Sequence, residues 1–89
     1  MVLSVHTLKV WPEHFEAVTE PDPCRRKTVE IRLDDRGYEV GDTLHLQEWD
    51  PRSETYSGWD AKVLITHILR GRPWLPDRYV AMSILLIGR

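Results

Sequence analysis

Three residues of unlike chemistry stand close together near the first third of the chain: Lys27, Glu30 and Arg32, within Lys27-Thr28-Val29-Glu30-Ile31-Arg32-Leu33. The segment alternates as a half-buried strand does. On that pattern Val29, Ile31 and Leu33 are expected to face a core, and Thr28, Glu30 and Arg32 to share the other face. A cationic pair around a carboxylate can hold an anion. A lysine amine that sits beside Arg26 and is partly desolvated loses its charge more readily and could serve as base or nucleophile. A carboxylate, Glu30 or Glu48, would then move the proton. The same residues could equally form an ion network that only fixes the strand, which contributes little on a surface.

The elements that must position these groups follow in order. Residues 2–9 read as a short strand. Pro12 suits the first position of a helix running to about Glu20, with Trp11, Phe15 and Val18 as its apolar stripe. Glu13 and Glu16 fall where the helix dipole favours negative charge. Pro21-Asp22-Pro23 ends it. After the central strand, Asp34-Asp35-Arg36-Gly37 and Gly41-Asp42 are turn chemistry. Thr43–Trp49 alternates again, with Leu44 and Leu46 inward. Glu48 continues that inward series, so either the strand stops before it or Glu48 points into a pocket at the rim. Asp50–Gly58 reads as a loop that joins this strand to another, Asp60–Leu69, in a hairpin. Gly71–Asp77 is an irregular loop, with Trp74 expected to pack over the sheet rather than stand exposed. The last strand, Arg78–Ile87, is apolar on both faces, as a covered central strand is. The expected core is Val29, Ile31, Leu44, Leu46, Val63, Ile65, Met82 and Ile84, with the helix docked through Phe15 and Val18.

Composition bounds the functions. Eighty-nine residues, 42% hydrophobic and 29% charged, make one small domain, 1–89. No apolar run is long enough for a membrane span, no charged leader with an apolar core opens the chain, and a cytoplasmic protein is expected. The net charge of −2 argues against a bulk polyanion binder. The charge is unevenly placed, however: Arg25, Arg26, Lys27, Arg32 and Arg36 crowd one segment, and Arg70, Arg72 and Arg78 another. His6, His14, His45 and His67 are scattered and Cys24 is alone, so no metal site and no cofactor is expected. His14 reads as a solvated helix residue.

Lys27-x-x-Glu30-x-Arg32 followed by Val40-Gly41-Asp42 resembles the signature of ASCH domains, a branch of the PUA-like β-barrels. His6-x-Leu8-Lys9 with Pro12 and Phe15, Glu48-Trp49-Asp50-Pro51, Tyr56-Ser57-Gly58 and Tyr79-Val80-Ala81-Met82-Ser83-Ile84 extend the likeness over most of the chain, to a small subfamily of that group. The resemblance implies a mainly β, α+β fold: a small, partly open barrel of about five strands, with the early helix over one end. It also implies association with RNA or a nucleotide. In that case Arg25, Arg26, Lys27, Arg32 and Arg36 would meet phosphate, and Trp49, Tyr56, Trp59 or Trp74 would offer rings for stacking. At least two of those four aromatics are expected in the core.

Some ASCH relatives remove the acetyl group of N4-acetylcytidine with a lysine, a threonine and a glutamate. By position the lysine is Lys27. Glu30 stands where the threonine would be, and Thr28, the nearest hydroxyl, does not match. Glu48 is the candidate for the later glutamate by its inward direction alone. Arg25 replaces a glycine usual two residues before the lysine, which stiffens the turn and makes the mouth more cationic.

Overall fold

Five strands form one mixed sheet curled into a half-barrel, with a single short helix against it. The computed structural model describes residues 3–89. In chain order the elements are β1 (Val5–Val10), α1 (Pro12–Val18), β2 (Val29–Leu33), β3 (Thr43–Asp50), β4 (Thr55–Arg70) and β5 (Tyr79–Gly88). The spatial order is β1-β3-β4-β5-β2. β1 runs parallel to β3, and every other pairing is antiparallel. The fold is thus the mainly β, α+β half-barrel expected, with β1 and β2 as its two free edges. Of the strand read at 2–9, Val2 lies outside the described residues.

The core follows the alternation of β3, β4 and β5. Leu44, Leu46, Val63, Ile65, Met82 and Ile84 are buried together with Leu8, Val10 and Tyr38. α1 closes one side of this core through Phe15 and Val18. Pro12 occupies its first turn, while Trp11 is the N-cap residue and stays half-exposed rather than joining the stripe. The helix ends two residues before Glu20: Thr19 turns off, and its hydroxyl donates to the Phe15 carbonyl at 2.8 Å. β4 begins at Thr55, inside the stretch read as loop, because Trp49 and Asp50 pair with Tyr56 and Thr55 and prolong the hairpin.

β2 corrects the expected core. Ile31 is 54% exposed, and Val29 and Leu33 are exposed as well, while Glu30 is 93% buried, with 7% of its surface open. The strand pairs Val29 with Ser83, Ile31 with Ala81 and Leu33 with Tyr79 on the outer face. Glu30 and Arg32 lie opposite the buried Met82 and Val80 on the inner one. Alternation was present, but the polar face is the inward face.

Two carboxylates hold the turns. Asp42, 2% exposed, accepts from the Ser4 N–H at 3.0 Å, from the Glu39 N–H at 3.1 Å, and lies 2.9 Å from His6 Nε2. Burial alone would push its carboxyl up; those partners outweigh it and hold it below the usual carboxylate range. The Gly41-Asp42 turn is therefore a junction for β1, β3 and β4: the Asp42 carbonyl also accepts from Ile65 N–H at 2.9 Å. Gly41 has φ +96°, where a side chain would be strained and would also press on Leu3. Asp34 works likewise. Burial raises it, but the Tyr38 and Gly37 N–H groups and Arg70 Nη1 at 2.9 Å bring it below its ordinary value. Arg70 also donates to the Tyr38 carbonyl at 2.9 Å, so this member of the second basic segment is a structural tie.

Leu46→Ala, at a fully buried position, is expected to cost about 2–5 kcal/mol. Ile31→Ala is expected to cost about 0.5 kcal/mol or less in dilute solution. Urea denaturation of both variants measures the register of β2 directly. Acidification tests the carboxylates. Their folded pKa values lie below the unfolded value of about 3.9, so their stabilisation is complete above that pH and lost as the pH falls through the folded values. The urea midpoint should hold from neutral pH down to about 5 and then fall. Asp42→Asn should lower it at neutral pH and flatten the acid limb.

Candidate functional site

The gap between the two free edges is a cleft of about 520 Å³, lined by Lys9, Val10 and Trp11, by His14 of α1, and by Lys27 and Val29 to Arg32. Each wall is fixed locally. After α1 the chain turns back through Asp22, whose carboxylate accepts from the Cys24 N–H at 2.9 Å. Arg26 Nε and Nη2 donate to the Glu20 and Pro21 carbonyls at 2.7 and 3.1 Å. The Lys27 N–H then donates to the Ala17 carbonyl at 2.9 Å, which delivers the Lys27 side chain to the cleft.

Glu30 lies on the cleft's inner wall. Its Oε1 is 3.7 Å from Lys27 Nζ and its Oε2 is 3.5 Å from Arg32 Nη2. Lys27 Nζ is also 3.4 Å from His14 Nδ1. Arg32 reaches across the gap to the Lys9 carbonyl at 2.8 Å, and Arg36 reaches the Thr7 carbonyl at 2.8 Å. Two guanidiniums thus take carbonyls on the open side of β1, where a closed barrel would have had another strand. The Lys9 ammonium turns outward and lies 4.5 Å from the centre of the Trp49 ring and 5.9 Å from that of Tyr56. Cations over aromatic faces at such distances attract modestly.

The sequence candidates separate on this geometry. Lys27, Glu30 and Arg32 meet in the cleft. Arg36 adjoins it as a second bridge to β1. Trp49 and Tyr56 form a cross-strand pair joined to the cleft by Lys9. Arg25 is exposed on the loop, and Arg26 is committed to the carbonyls of its own turn. Glu48 is not with Lys27. β3 continues to Asp50, and half-buried Glu48 lines a second cleft of about 340 Å³ with Phe15, Glu16, Thr19, Glu20, Trp59 and others, sharing no residue with the first. The register shift between Gln47 and Trp49 ends the strict alternation there.

The aromatics also correct the expectation. Trp74 is 72% exposed, Trp59 and Tyr56 are exposed, and Trp49 is half-buried, so none of the four is a core residue. Trp59 instead lies under Arg89, whose guanidinium carbon is 5.6 Å from its ring centre.

Three polar or aromatic cleft residues escaped the sequence reading of the site: Lys9, Trp11 and His14. Lys9 carried a signal, an outward charge between the buried Leu8 and Val10 in a motif already noted. Nothing in spacing joins position 9 to position 32. Among the described residues no group of three or more His, Cys, Asp or Glu is placed to hold a metal ion, and no helix is long and apolar enough to cross a membrane.

Fold and site together define a small α+β half-barrel with a mixed-charge cleft between its unpaired edges. The chain belongs to the family described as Domain of unknown function (DUF3850), matched over residues 5–84. It is also 34% identical over 86 residues to a protein of Escherichia phage P2 described as "Uncharacterized 12.9 kDa protein in GpA 3'region". That alignment covers 97% of this chain and 72% of the phage protein.

The bridges set a testable expectation. Arg32→Ala leaves the Lys9 carbonyl without its partner and should cost about 1 kcal/mol. Arg32→Lys should recover only part of it, since an ammonium does not supply the guanidinium's fork of donors. Denaturant midpoints of the two variants give the comparison.

Proposed function

We propose that the cleft binds a nucleotide or a short single-stranded stretch of RNA. The observation that carries this reading is the buried Glu30 carboxylate held loosely between Lys27 and Arg32, beside the half-exposed indole of Trp11. The cations would meet phosphate, the indole would stack on a base, and the carboxylate would accept from a base amino group, as acidic side chains do with cytosine N4. Lys9 would carry the track out of the cleft onto Trp49 and Tyr56. The likeness to ASCH domains supports the same class of ligand. Exposed, unpaired Cys24 suits a reducing cytoplasm, where such a module would work.

A second reading is a small amidohydrolase acting on an acylated nucleoside such as N4-acetylcytidine. It is favoured by the Lys27 amine standing 3.7 Å from a buried carboxylate within the cleft. Lys27 would be the base or nucleophile and Glu30 the proton carrier, without Glu48.

Fluorescence anisotropy with labelled single-stranded RNA at increasing salt tests the first reading. Affinity should fall steeply, and Lys9→Ala and Lys27→Ala should each reduce the slope of log affinity against log salt by about one. Trp11→Ala should weaken binding about tenfold with little change in slope. Absence of salt-dependent binding to RNA and to mononucleotides overturns it. Turnover of N4-acetylcytidine that disappears in Lys27→Ala, with substrate binding retained, would instead carry the second.

A further inference from the structure

The outer face of the β2–β5–β4 panel carries no charged side chain along its central rows. β2 turns Val29, Ile31 and Leu33 outward. β5 alternates in the same sense, with Tyr79, Leu85 and Ile87 exposed and Val80, Met82 and Ile84 in the core. The pairing of Ile31 with Ala81, and of Ala81 with Leu69 of β4, joins these residues into one continuous surface. Polar atoms enter it in the row of His67 and Ser83, opposite Val29, at the neighbouring Thr66, and at its two ends, with the Tyr79 hydroxyl beside Leu33 and the exposed Lys62 beside Gly88. An antiparallel sheet that faces water on one side normally sets polar residues on that side. This one does not.

We infer that this face is the interface of a homodimer, in which two copies of the chain stack their β2–β5–β4 panels across a two-fold axis. Two observations select a second copy as the occupant. The first is area. The exposed apolar side chains offer on the order of 600 Å², the upper end of what ordinary monomers leave bare. With the surrounding rim that approaches the roughly 800 Å² per partner of a standard interface. The second is charge. A two-fold interface sets a surface against itself, so a charged face would oppose like charges; the central rows have none to oppose, and Lys62 stands at the rim, at the β4 end beside Gly88. His67 and Ser83 lie in the middle of the panel, where each can find a partner across the axis. Glu30 and Arg32 turn to the other side of β2, and the interface meets the cleft at its rim, where Val29 and Ile31 border both.

Sedimentation equilibrium on the full chain over a range of concentrations tests the inference. The expected result is twice the chain's mass, falling twofold to the monomer mass in Ile31→Glu/Leu85→Glu and in Ile31→Lys/Leu85→Lys. Both substituted positions are solvent-exposed in the single copy, so the circular dichroism spectra of the variants should match the parent's. Mixing the acidic and basic variants should restore the doubled mass, because each face then meets its opposite. A parent that stays monomeric at its highest soluble concentration overturns the inference. A doubled mass that survives either pair of substitutions overturns it too, since the copies would then meet elsewhere. Two monomeric populations in the mixture would show that like faces do not pair, and would likewise overturn it.

Discussion

An unclosed sheet must do something with the backbone groups along its free edges, and here two arginines answer for one of them. Arg32 and Arg36 donate to the Lys9 and Thr7 carbonyls across the gap between β2 and β1. A bare edge is a template for pairing with another chain, and side chains laid across it blunt that hazard. Lysine would serve less well. The guanidinium has several donors in a fixed plane, so Arg32 can hold a carbonyl and still face Glu30. Much else in the fold follows. For Arg32 to reach across the gap from β2, even-numbered positions of that strand must face inward. Glu30 is then carried to the inner wall, and Val29, Ile31 and Leu33 are carried to the outside. The polar cleft and the bare apolar panel are two sides of one register.

The turns that flank the gap are tied as well. Asp42 ties the start of β1 to the β3 end of its turn and, through its own carbonyl, to β4. Tyr38, 1% exposed, sits edge-on to the His6 ring, with centroids 4.9 Å apart, and its pKa is raised by burial. Asp34 and Arg70 then fix the chain leaving β2 against the end of β4. The buried Asp42 carboxylate has its acceptors filled by the Ser4 and Glu39 N–H groups and the His6 ring, which is what makes its burial tolerable.

The legible parts of the sequence were those where apolar and buried coincide. Leu44 and Leu46, Val63 and Ile65, and Met82 and Ile84 alternate on strands in the middle of the sheet, and all are core. The hairpin of β3 with β4 and the docking of α1 through Phe15 and Val18 follow from the same rule. β2 breaks it. A period of two separates two faces but does not say which is inside, and the usual inference assumes that the inside is dry. At the edge of an open barrel the inside is a cleft. Glu48 does point into a pocket, one of the two outcomes its alternation allowed, but that pocket is not the one that holds Lys27, and nothing in the spacing of β3 says which cleft its inward positions reach. Gly41-Asp42 was legible as a turn but not as the anchor of three strands, since its partners Ser4 and His6 are distant in sequence. Trp74 was expected to pack, and at least two of Trp49, Tyr56, Trp59 and Trp74 to be core, but the loop and the long hairpin arm that carry them lie beyond the small core.

The carboxylates of Asp34, Asp42 and Glu30 are not treated alike, and the contrast bears on what the cleft is for. Asp34 and Asp42 are held at 2.9–3.1 Å by main-chain N–H groups, an arginine or a histidine. Those are the lengths of well-formed hydrogen bonds. Glu30, 93% buried (7% exposed), has among the described residues Lys27 at 3.7 Å and Arg32 at 3.5 Å as its partners, and no main-chain N–H of those residues completes its shell. If the sole task of Glu30 were to brace β2, the better-made pattern a few residues along the chain would be the economical solution. Arg32 is drawn away by the Lys9 carbonyl, and Lys27 is shared with His14. Closing the gap therefore leaves a carboxylate and two cations near one another at separations longer than those around Asp34 and Asp42. A ligand that brings both an anionic group and an N–H donor would complete all three at once. Phosphate with a base amino group has that combination, and this loose triad is the physical ground for reading the cleft as a nucleotide site.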